Sequence, residues 1–250
     1  MIEFQNISLC LNGKMILQDV SFCLRKGETV LLVGSSGAGK STILKLALRL
    51  MLPTEGKILV EGRNILELSD SDLMKLRQRF GMVFQGGALF DSLTVEENVA
   101  FFLKENLKLP HKEICSRITD KLEFLGLDKF KDYGVSELSG GMRKRVAIAR
   151  AMVTNPQVLF YDEPTAGLDP FSANRVVELI ADLREKYQVT SLIISHEIQY
   201  FVDVADRLLM LKGGQITYEG KPDMAIADRF GESETPEKCD TRKRKYGIFG

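Results

Sequence analysis

The stretch Gly34-Ser35-Ser36-Gly37-Ala38-Gly39-Lys40-Ser41 decides the fold of this 250-residue chain. It follows the apolar run at residues 29–33 and precedes residues 42–48, which contain no Gly or Pro and are typical of a helix. Its glycines allow backbone N–H groups to converge on phosphate oxygens, and the helix N-terminus adds partial positive charge at the same place. Lys40 provides a cation for the β- and γ-phosphates, and Ser41 provides a hydroxyl for Mg²⁺. Strand, Gly-rich turn and helix in this order predict a binding site for a nucleoside triphosphate.

The composition is that of a globular protein with balanced charge. Lysine and arginine together number 34, as do aspartate and glutamate, and this balance gives no sign of a nucleic-acid-binding protein. No apolar run approaches the ~20 residues that cross a bilayer, and the first residues do not form a signal peptide. We therefore expect a cytosolic chain unless a partner holds it to a membrane. The four cysteines are scattered without a CxxC pair, which predicts reduced thiols.

The hydrophobic periodicity changes twice along the chain. Residues 2–33 alternate apolar and polar side chains around Asn12-Gly13, which predicts a β-rich entry with a hairpin. The first helix is expected to run from Lys40 to about Leu50, and the periodicity from residue 94 to about residue 150 is helical before an α/β pattern resumes. The predicted divisions are one domain at 1–230, with a core at 1–85 and 157–230 and a helical segment at 86–156, followed by a tail at 231–250.

Two carboxylates follow the buried-strand pattern at residues 158–161. A carboxylate at the end of a buried strand is costly to desolvate unless it faces a cation or a site. Asp162 is therefore predicted to hold Mg²⁺ and its water shell, and Glu163 to polarise an attacking water. The alternative is a solvated loop after a strand.

A second Gly-rich segment, Leu138-Ser139-Gly140-Gly141-Met142, opens the next helix. Ser139 can cap this helix, and the two glycines expose N–H groups to an anion. The alternative is a simple helix cap. One nucleotide does not need two such sites from one subunit, so the pair of segments predicts two copies arranged head to tail, each closing over the nucleotide of the other.

The ordered motifs resemble those of the ATPase subunits of ABC transporters, over roughly residues 2–225. The matching segments are Gly34 to Ser41 (Walker A), Gln85 (Q-loop), Leu138 to Met142 (signature), Leu159 to Glu163 (Walker B), Gly167-Leu168-Asp169 (D-loop) and His196 (switch histidine). The resemblance implies an α/β fold with a P-loop NTPase (RecA-like) core, an N-terminal antiparallel β subdomain and an inserted α-helical subdomain. It also implies ATP hydrolysis by a head-to-tail homodimer bound to an integral-membrane permease, with no nucleic acid as partner.

The resemblance assigns roles to individual residues. The residues expected to act in catalysis are Glu163, His196 and Gln85. The residues expected to bind Mg²⁺ are Ser41, Gln85 and Asp162. The sequence departs from the family's pattern at two positions. Met142 replaces the usual signature Gln, and no aromatic residue lies near Leu11, where the family stacks a ring on adenine. The residues expected to contact ATP are Gly34, Ser35, Ser36, Gly37, Ala38, Gly39, Lys40, Ser41, Thr42, Leu11, Ser139, Gly140, Gly141 and Asp169.

The Q-loop and signature sequences narrow the resemblance. The run Phe84-Gln85-Gly86-Gly87-Ala88-Leu89-Phe90 and the Met142 signature resemble the Mla/Mce-type phospholipid-transport ATPases. This implies phospholipid transport between bacterial membranes, a location on the cytoplasmic face of the inner membrane, and an Mce-domain protein and a small accessory subunit as further partners. The alternatives are an ATPase for lipoprotein release, amino-acid import or cell division, or a soluble ABC ATPase acting on DNA or ribosomes.

The C-terminal tail carries four consecutive cations at residues 242–245, followed by Tyr246, Ile248 and Phe249. Apolar anchors after a basic cluster favour docking on the neighbouring ATPase subunit. Contact with anionic lipid and a solvated end are the alternatives.

Overall fold

A computed structural model describes residues 1–107 and 109–223. These residues form two compact units: unit 1 is Met1–Met74 with the described part of Ile194–Gly250, and unit 2 is Lys75–Ile193. The expectations for the tail at 231–250 lie outside the described residues, and the predicted divisions at residues 86 and 156 stay predictions.

Unit 1 begins with an antiparallel sheet of four strands. Its strands β1 (Ile2–Leu11), β2 (Lys14–Leu24), β4 (Glu55–Val60) and β5 (Arg63–Asn64) lie in the order β2-β1-β4-β5. Asn12 and Gly13 have φ values of 50° and 77°, which suit the tight turn between β1 and β2. Phe4 and Phe22 pair across these strands with ring centroids 4.4 Å apart. The predicted β-rich entry and its hairpin are confirmed.

The strand that leads to the Gly-rich stretch is β3 (Thr29–Val33), and all five of its residues are buried. It pairs in parallel with β9 (Arg207–Lys212), which pairs antiparallel with β10 (Gln215–Gly220). A continuous apolar run is what a strand covered on both faces requires. Helix α1 (Lys40–Ala47) follows, and it ends three residues before the expected Leu50 because Arg49 adopts a left-handed φ of 50°.

Unit 2 contains three strands and most of the helices. Strands β6 (Phe80–Val83) and β7 (Val158–Asp162) pair in parallel, and β8 (Thr190–Ile194), which ends at the unit boundary, lies beside β7. The helices are α2 (Asp70–Arg77), which crosses the unit boundary, α3 (Val95–Asn106), α4 (His111–Phe124), α5 (Gly140–Met152) and α6 (Pro170–Tyr187), and unit 1 adds α7 (Ile198–Phe201). Thr94 and Glu97 form a capping box at the start of α3, and Pro110 is the N-cap of α4.

Helices α4 and α6 are joined by a buried lysine. The Lys121 side chain is 3% exposed, and its ammonium lies 2.7 Å from Asp120 Oδ2 and 4.1 Å from the centroid of the Tyr187 ring. The Tyr187 hydroxyl donates to the same Asp120 oxygen at 3.0 Å. The contact with Lys121 lowers the pKa of the Asp120 carboxyl. A buried ammonium is therefore matched by a carboxylate and an aromatic face.

Two further expectations can be compared with the described residues. Cys10, Cys23 and Cys115 are free thiols, as predicted. In the part of the chain that the structure describes, no helix combines the length and the hydropathy needed to cross a bilayer.

Candidate nucleotide-binding site

The predicted phosphate loop joins β3 to α1 within unit 1, and its glycines are required by geometry. A Cβ added to Gly34 would lie 2.4 Å from the backbone oxygen of Leu211, because the β3–β9 pairing brings the two backbones together. Gly37 and Gly39 have φ values of 81° and 103°, in the left-handed region that disfavours residues with a Cβ. The loop therefore has a backbone conformation at these positions that residues other than glycine disfavour.

Lys40 is held against this loop by hydrogen bonds to its backbone. Lys40 is 8% exposed, and its Nζ donates to Gly34 O at 2.7 Å and to Ser35 O at 3.2 Å. The first turn of α1 contains no acidic residue, and its N-cap, Gly39, supplies no side-chain acceptor. A helix N-terminus with a fixed ammonium beside it suits a triphosphate.

Two other predicted contacts of unit 1 lie at strand ends. Leu11 is the last residue of β1 and is 39% exposed. His196 is exposed just after β8, and the N–H of Ser195 donates to Leu32 O of β3 at 3.2 Å. His196 thus follows a residue bonded to the strand that leads into the loop.

In unit 2, Asp162 and Glu163 are half-buried where β7 ends. Glu163 has a φ of 49°, a left-handed backbone that is uncommon for a residue with a Cβ. Its carbonyl accepts the N–H of Ala166 at 3.2 Å, which closes a turn. Uncommon backbone geometry of this kind is frequently found at functional sites.

The structure brings Glu163 and Gln85 together through Lys144, a residue of α5. The Lys144 ammonium donates to the carbonyl oxygen of Gln85 and, at 3.3 Å, to the carbonyl oxygen of Glu163. Lys144 is 7% exposed, and this burial lowers the pKa of its ammonium, while the negative charges of Glu163 and Asp162 partly oppose the shift.

The signature segment and the predicted D-loop are neighbours in unit 2. Ser139 Oγ accepts the N–H of Met142 at 3.2 Å and caps α5, as predicted. A Cβ added to Gly141 would lie 3.3 Å from the side chain of Ser172, and Asp169 accepts the N–H of Ser172 at 3.0 Å. Hydrogen bonds from Ser172 also lower the pKa of Asp169. Asp169 therefore caps α6 beside the start of α5.

The predicted Mg²⁺ donors are the hydroxyl of Ser41, the amide of Gln85 and the carboxylate of Asp162. Mg²⁺ is usually held by one or two carboxylates together with substrate phosphates and waters, and this set of oxygen donors fits that pattern. Ser41 belongs to unit 1, and Gln85 and Asp162 belong to unit 2.

The sequence profile of the ABC transporter family matches residues 17–166, which is 150 of the 250 residues. This chain belongs to the ABC transporter family. It is an ATP-binding subunit, and it hydrolyses ATP.

Relatives of this ABC subunit serve different transporters. Methionine import ATP-binding protein MetN 2 of Bacillus cereus is 40% identical over 239 residues, which cover 94% of this chain and 69% of the relative. The intermembrane phospholipid transport system ATP-binding protein MlaF of Haemophilus influenzae is 35% identical over 254 residues, which cover 98% of this chain and 96% of the relative.

A solved structure extends the likeness of this ABC subunit to its fold. The dimeric ATP-binding cassette MJ0796, in a post-hydrolysis state bound to ADP and Pi, is 31% identical with a TM-score of 0.79 and covers 89% of this chain and 99% of that one. The α/β P-loop NTPase fold predicted from the sequence is thereby confirmed.

Sequence reasoning missed two cations that contact the Q-loop of this ABC subunit. Lys144 contacts Gln85, and Arg150 donates to Gly87 O at 2.8 Å and to Ala88 O at 2.6 Å. Burial lowers the pKa of the Arg150 guanidinium. The available signal was a helix in which the apolar residues 146–149 lie between a run of three cations, residues 143–145, and Arg150. In such a helix a cation is expected to have a specific partner.

Proposed function

We propose that this chain supplies the ATP-driven power for phospholipid transport between bacterial membranes. The observation that carries the proposal is the pair of sequences Phe84 to Phe90 and Leu138 to Met142, which resemble the Mla/Mce-type ATPases. The match to MlaF supports it, because that match runs along 98% of this chain and 96% of the relative.

In the proposed reaction the chain binds and orients ATP mainly through charge and backbone dipoles. Lys40 and the amides of the phosphate loop at residues 34–39 hold the phosphates, Thr42 belongs to the first turn behind them, and Leu11 contacts the base. Such fixed donors stabilise charge without reorganising during the reaction.

Hydrolysis itself is assigned to the residues that follow strands β6, β7 and β8. Glu163 positions the attacking water and accepts its proton, and His196 stabilises charge at the γ-phosphate. Ser41, Gln85 and Asp162 would hold Mg²⁺, which would supply positive charge to the phosphate oxygens when bound.

The proposed assembly is a head-to-tail homodimer on a membrane permease at the cytoplasmic face of the inner membrane. Ser139, Gly140, Gly141 and Asp169 would complete the nucleotide site of the partner, because the amides at the start of α5 form a second anion site in one chain. The dimeric state of the MJ0796 cassette supports this arrangement. An Mce-domain protein and a small accessory subunit complete the proposed complex.

Methionine import is the second candidate, because MetN 2 is 40% identical over 94% of this chain. The two candidates make different demands on the partner proteins: a phospholipid system needs a lipid-binding partner, whereas an importer needs a partner that binds a small amino acid.

Purification of the assembled complex tests the choice between them. The tagged full chain carrying Glu163→Gln, which is expected to hold ATP without turnover, is purified from membranes of the native organism in mild detergent. A permease, an Mce-domain protein and co-purified phospholipid are expected. A permease with a methionine-binding protein, together with loss of methionine uptake on deletion of the gene, would replace the phospholipid proposal with the second candidate.

A further inference from the structure

The Q-loop turn, defined as residues 84–90, is held by side chains of neighbouring helices. These side chains form hydrogen bonds with the backbone of the turn. Arg150 of α5 donates to the carbonyls of Gly87 and Ala88, and Asn98 of α3 both accepts the N–H of Phe90 at 2.8 Å and donates to its carbonyl at 3.1 Å. Asn98 is fully buried. Buried polar contacts of this kind fix a loop in one position, since releasing them leaves polar groups unsatisfied.

Lys144 differs from these two residues because it contacts a second segment as well. Its ammonium bridges the carbonyls of Gln85 in the Q-loop turn and Glu163 at the end of β7. The ammonium is charged and almost fully buried. Loss of either carbonyl acceptor would therefore leave it poorly solvated. The two carbonyls are therefore expected to keep their positions relative to each other.

The backbone of Glu163 is the part of this bridge that affects chemistry. A left-handed φ of 49° is unfavourable for a residue with a Cβ, and it directs the Glu163 side chain differently from an extended continuation of β7. Lys144 and the N–H of Ala166 both donate to the Glu163 carbonyl, and so they oppose its return to an ordinary conformation.

We propose that Lys144 is a positioning residue that holds the carboxylate of Glu163 in place relative to the Q-loop turn, so that efficient hydrolysis depends on this bridge. Lys144 acts through backbone carbonyls and does not touch the reacting atoms. The proposal rests on the proposed function in one respect, namely the role of Glu163 as the group that positions water.

The test compares Lys144→Met with Lys144→Arg in the full-length chain and measures steady-state ATP hydrolysis. Methionine keeps the length of the side chain and removes the donors, whereas arginine keeps the charge and can still reach two carbonyls. We expect Lys144→Met to lower kcat ~10–100-fold, the loss typical of a displaced catalytic group. The KM for ATP should change less than ~3-fold, because phosphate binding does not depend on the carboxylate, and Lys144→Arg should restore most of kcat.

Lys121→Met is the matched control, because it removes another buried lysine of unit 2 that contacts Asp120 and Tyr187 instead of the two carbonyls. It is expected to lower stability and leave kcat near that of the unchanged chain. Hydrogen exchange gives a second readout: Lys144→Met should speed exchange in residues 84–90 and 161–166, and Lys121→Met should not. If Lys144→Met does not fold, Lys144→Gln takes its place, and an intermediate loss of kcat is expected from its single amide donor group.

A kcat for Lys144→Met within ~2-fold of the unchanged chain overturns the proposal, as does an equal loss in Lys121→Met, because a positioning effect is specific to its contact. Glu163→Gln separates this failure from a failure of the proposed function. If Glu163→Gln still hydrolyses ATP, the role of Glu163 is wrong. If Glu163→Gln is inactive and Lys144→Met is normal, only the role of Lys144 is wrong.

Discussion

Replacing Gly34 by alanine should destabilise the protein far more than replacing Gly37, although both glycines lie in the same phosphate loop. Gly34 has no room for a side chain, since its Cβ would lie 2.4 Å from Leu211 O and 3.3 Å from the Cβ of Ala38. Gly37 has a left-handed φ of 81° and nothing within 4 Å of an added Cβ. One substitution therefore meets a steric clash, and the other meets only an unfavourable dihedral angle.

The expected magnitudes follow from these two causes. Relief of the Gly34 clash requires movement of β3 relative to β9, since the obstacle is backbone, and overpacking of this kind costs about 3 kcal/mol of unfolding free energy, the upper part of the usual range. A left-handed residue with a Cβ costs about 1 kcal/mol. Gly34→Ala should therefore lose about 2 kcal/mol more than Gly37→Ala.

Denaturant unfolding of both variants without nucleotide measures this difference, with the unchanged chain as reference. Binding of a fluorescent ATP analogue is then measured on whichever variant remains folded, and Gly37→Ala is expected to retain the fold while binding ATP more weakly. Equal losses of unfolding free energy, or a larger loss in Gly37→Ala, would refute the steric reasoning about the approach of β3 to β9.

Three further outcomes are expected. Glu163→Gln should abolish phosphate release, preserve ATP binding and trap a dimer, and size-exclusion chromatography that shows only monomer with ATP would contradict the dimer. A mixture of Lys40→Ala and Ser139→Ala chains should contain dimers with one intact composite site, so its ATPase activity should exceed that of either variant alone; activity no higher than theirs would contradict head-to-tail sharing. Because the pKa of Asp120 is lowered in the folded state, its stabilising effect is present above the ordinary value of 3.8 and is lost as the pH falls through the folded-state pKa. Asp120→Asn should therefore weaken the acid-side loss of stability in thermal unfolding, and an unchanged pH dependence would count against the pairing with Lys121.

Two local features, a hairpin and a helix cap, were predictable because turn and capping patterns act over short distances. The Asn12-Gly13 hairpin and the Ser139 cap each depend on neighbouring residues alone, and both were found where the sequence indicated. The end of α1 was not predicted, because Arg49 takes the left-handed position just after the C-cap, which glycine usually occupies, and the N–H groups of Arg49 and Leu50 donate to Leu46 O and Lys45 O.

The long-range contacts of the candidate site were not predictable in the same way. Lys144 and Gln85 are separated by 59 residues, and no local pattern shows that they meet. In the sequence Lys144 stands between Arg143 and Arg145, so nothing local distinguishes it from its neighbours, and its burial became visible only in the structure. Gly34 was expected to serve the phosphate, and its close approach to Leu211 became visible only in the parallel pairing of β3 with β9.

Helix α5 has consequences for communication between the two ATP molecules of the proposed dimer. Its 13 residues make a rod about 20 Å long. Its first amides would face the nucleotide of the partner, while Lys144 and Arg150 on the same rod hold the Q-loop turn of its own subunit. A nucleotide that immobilises the start of this rod also restrains Lys144 and Arg150 further along it, so occupation of one site should prepare the other. ATP hydrolysis by the dimer should therefore show positive cooperativity, with a Hill coefficient above one that falls when Lys144 is replaced.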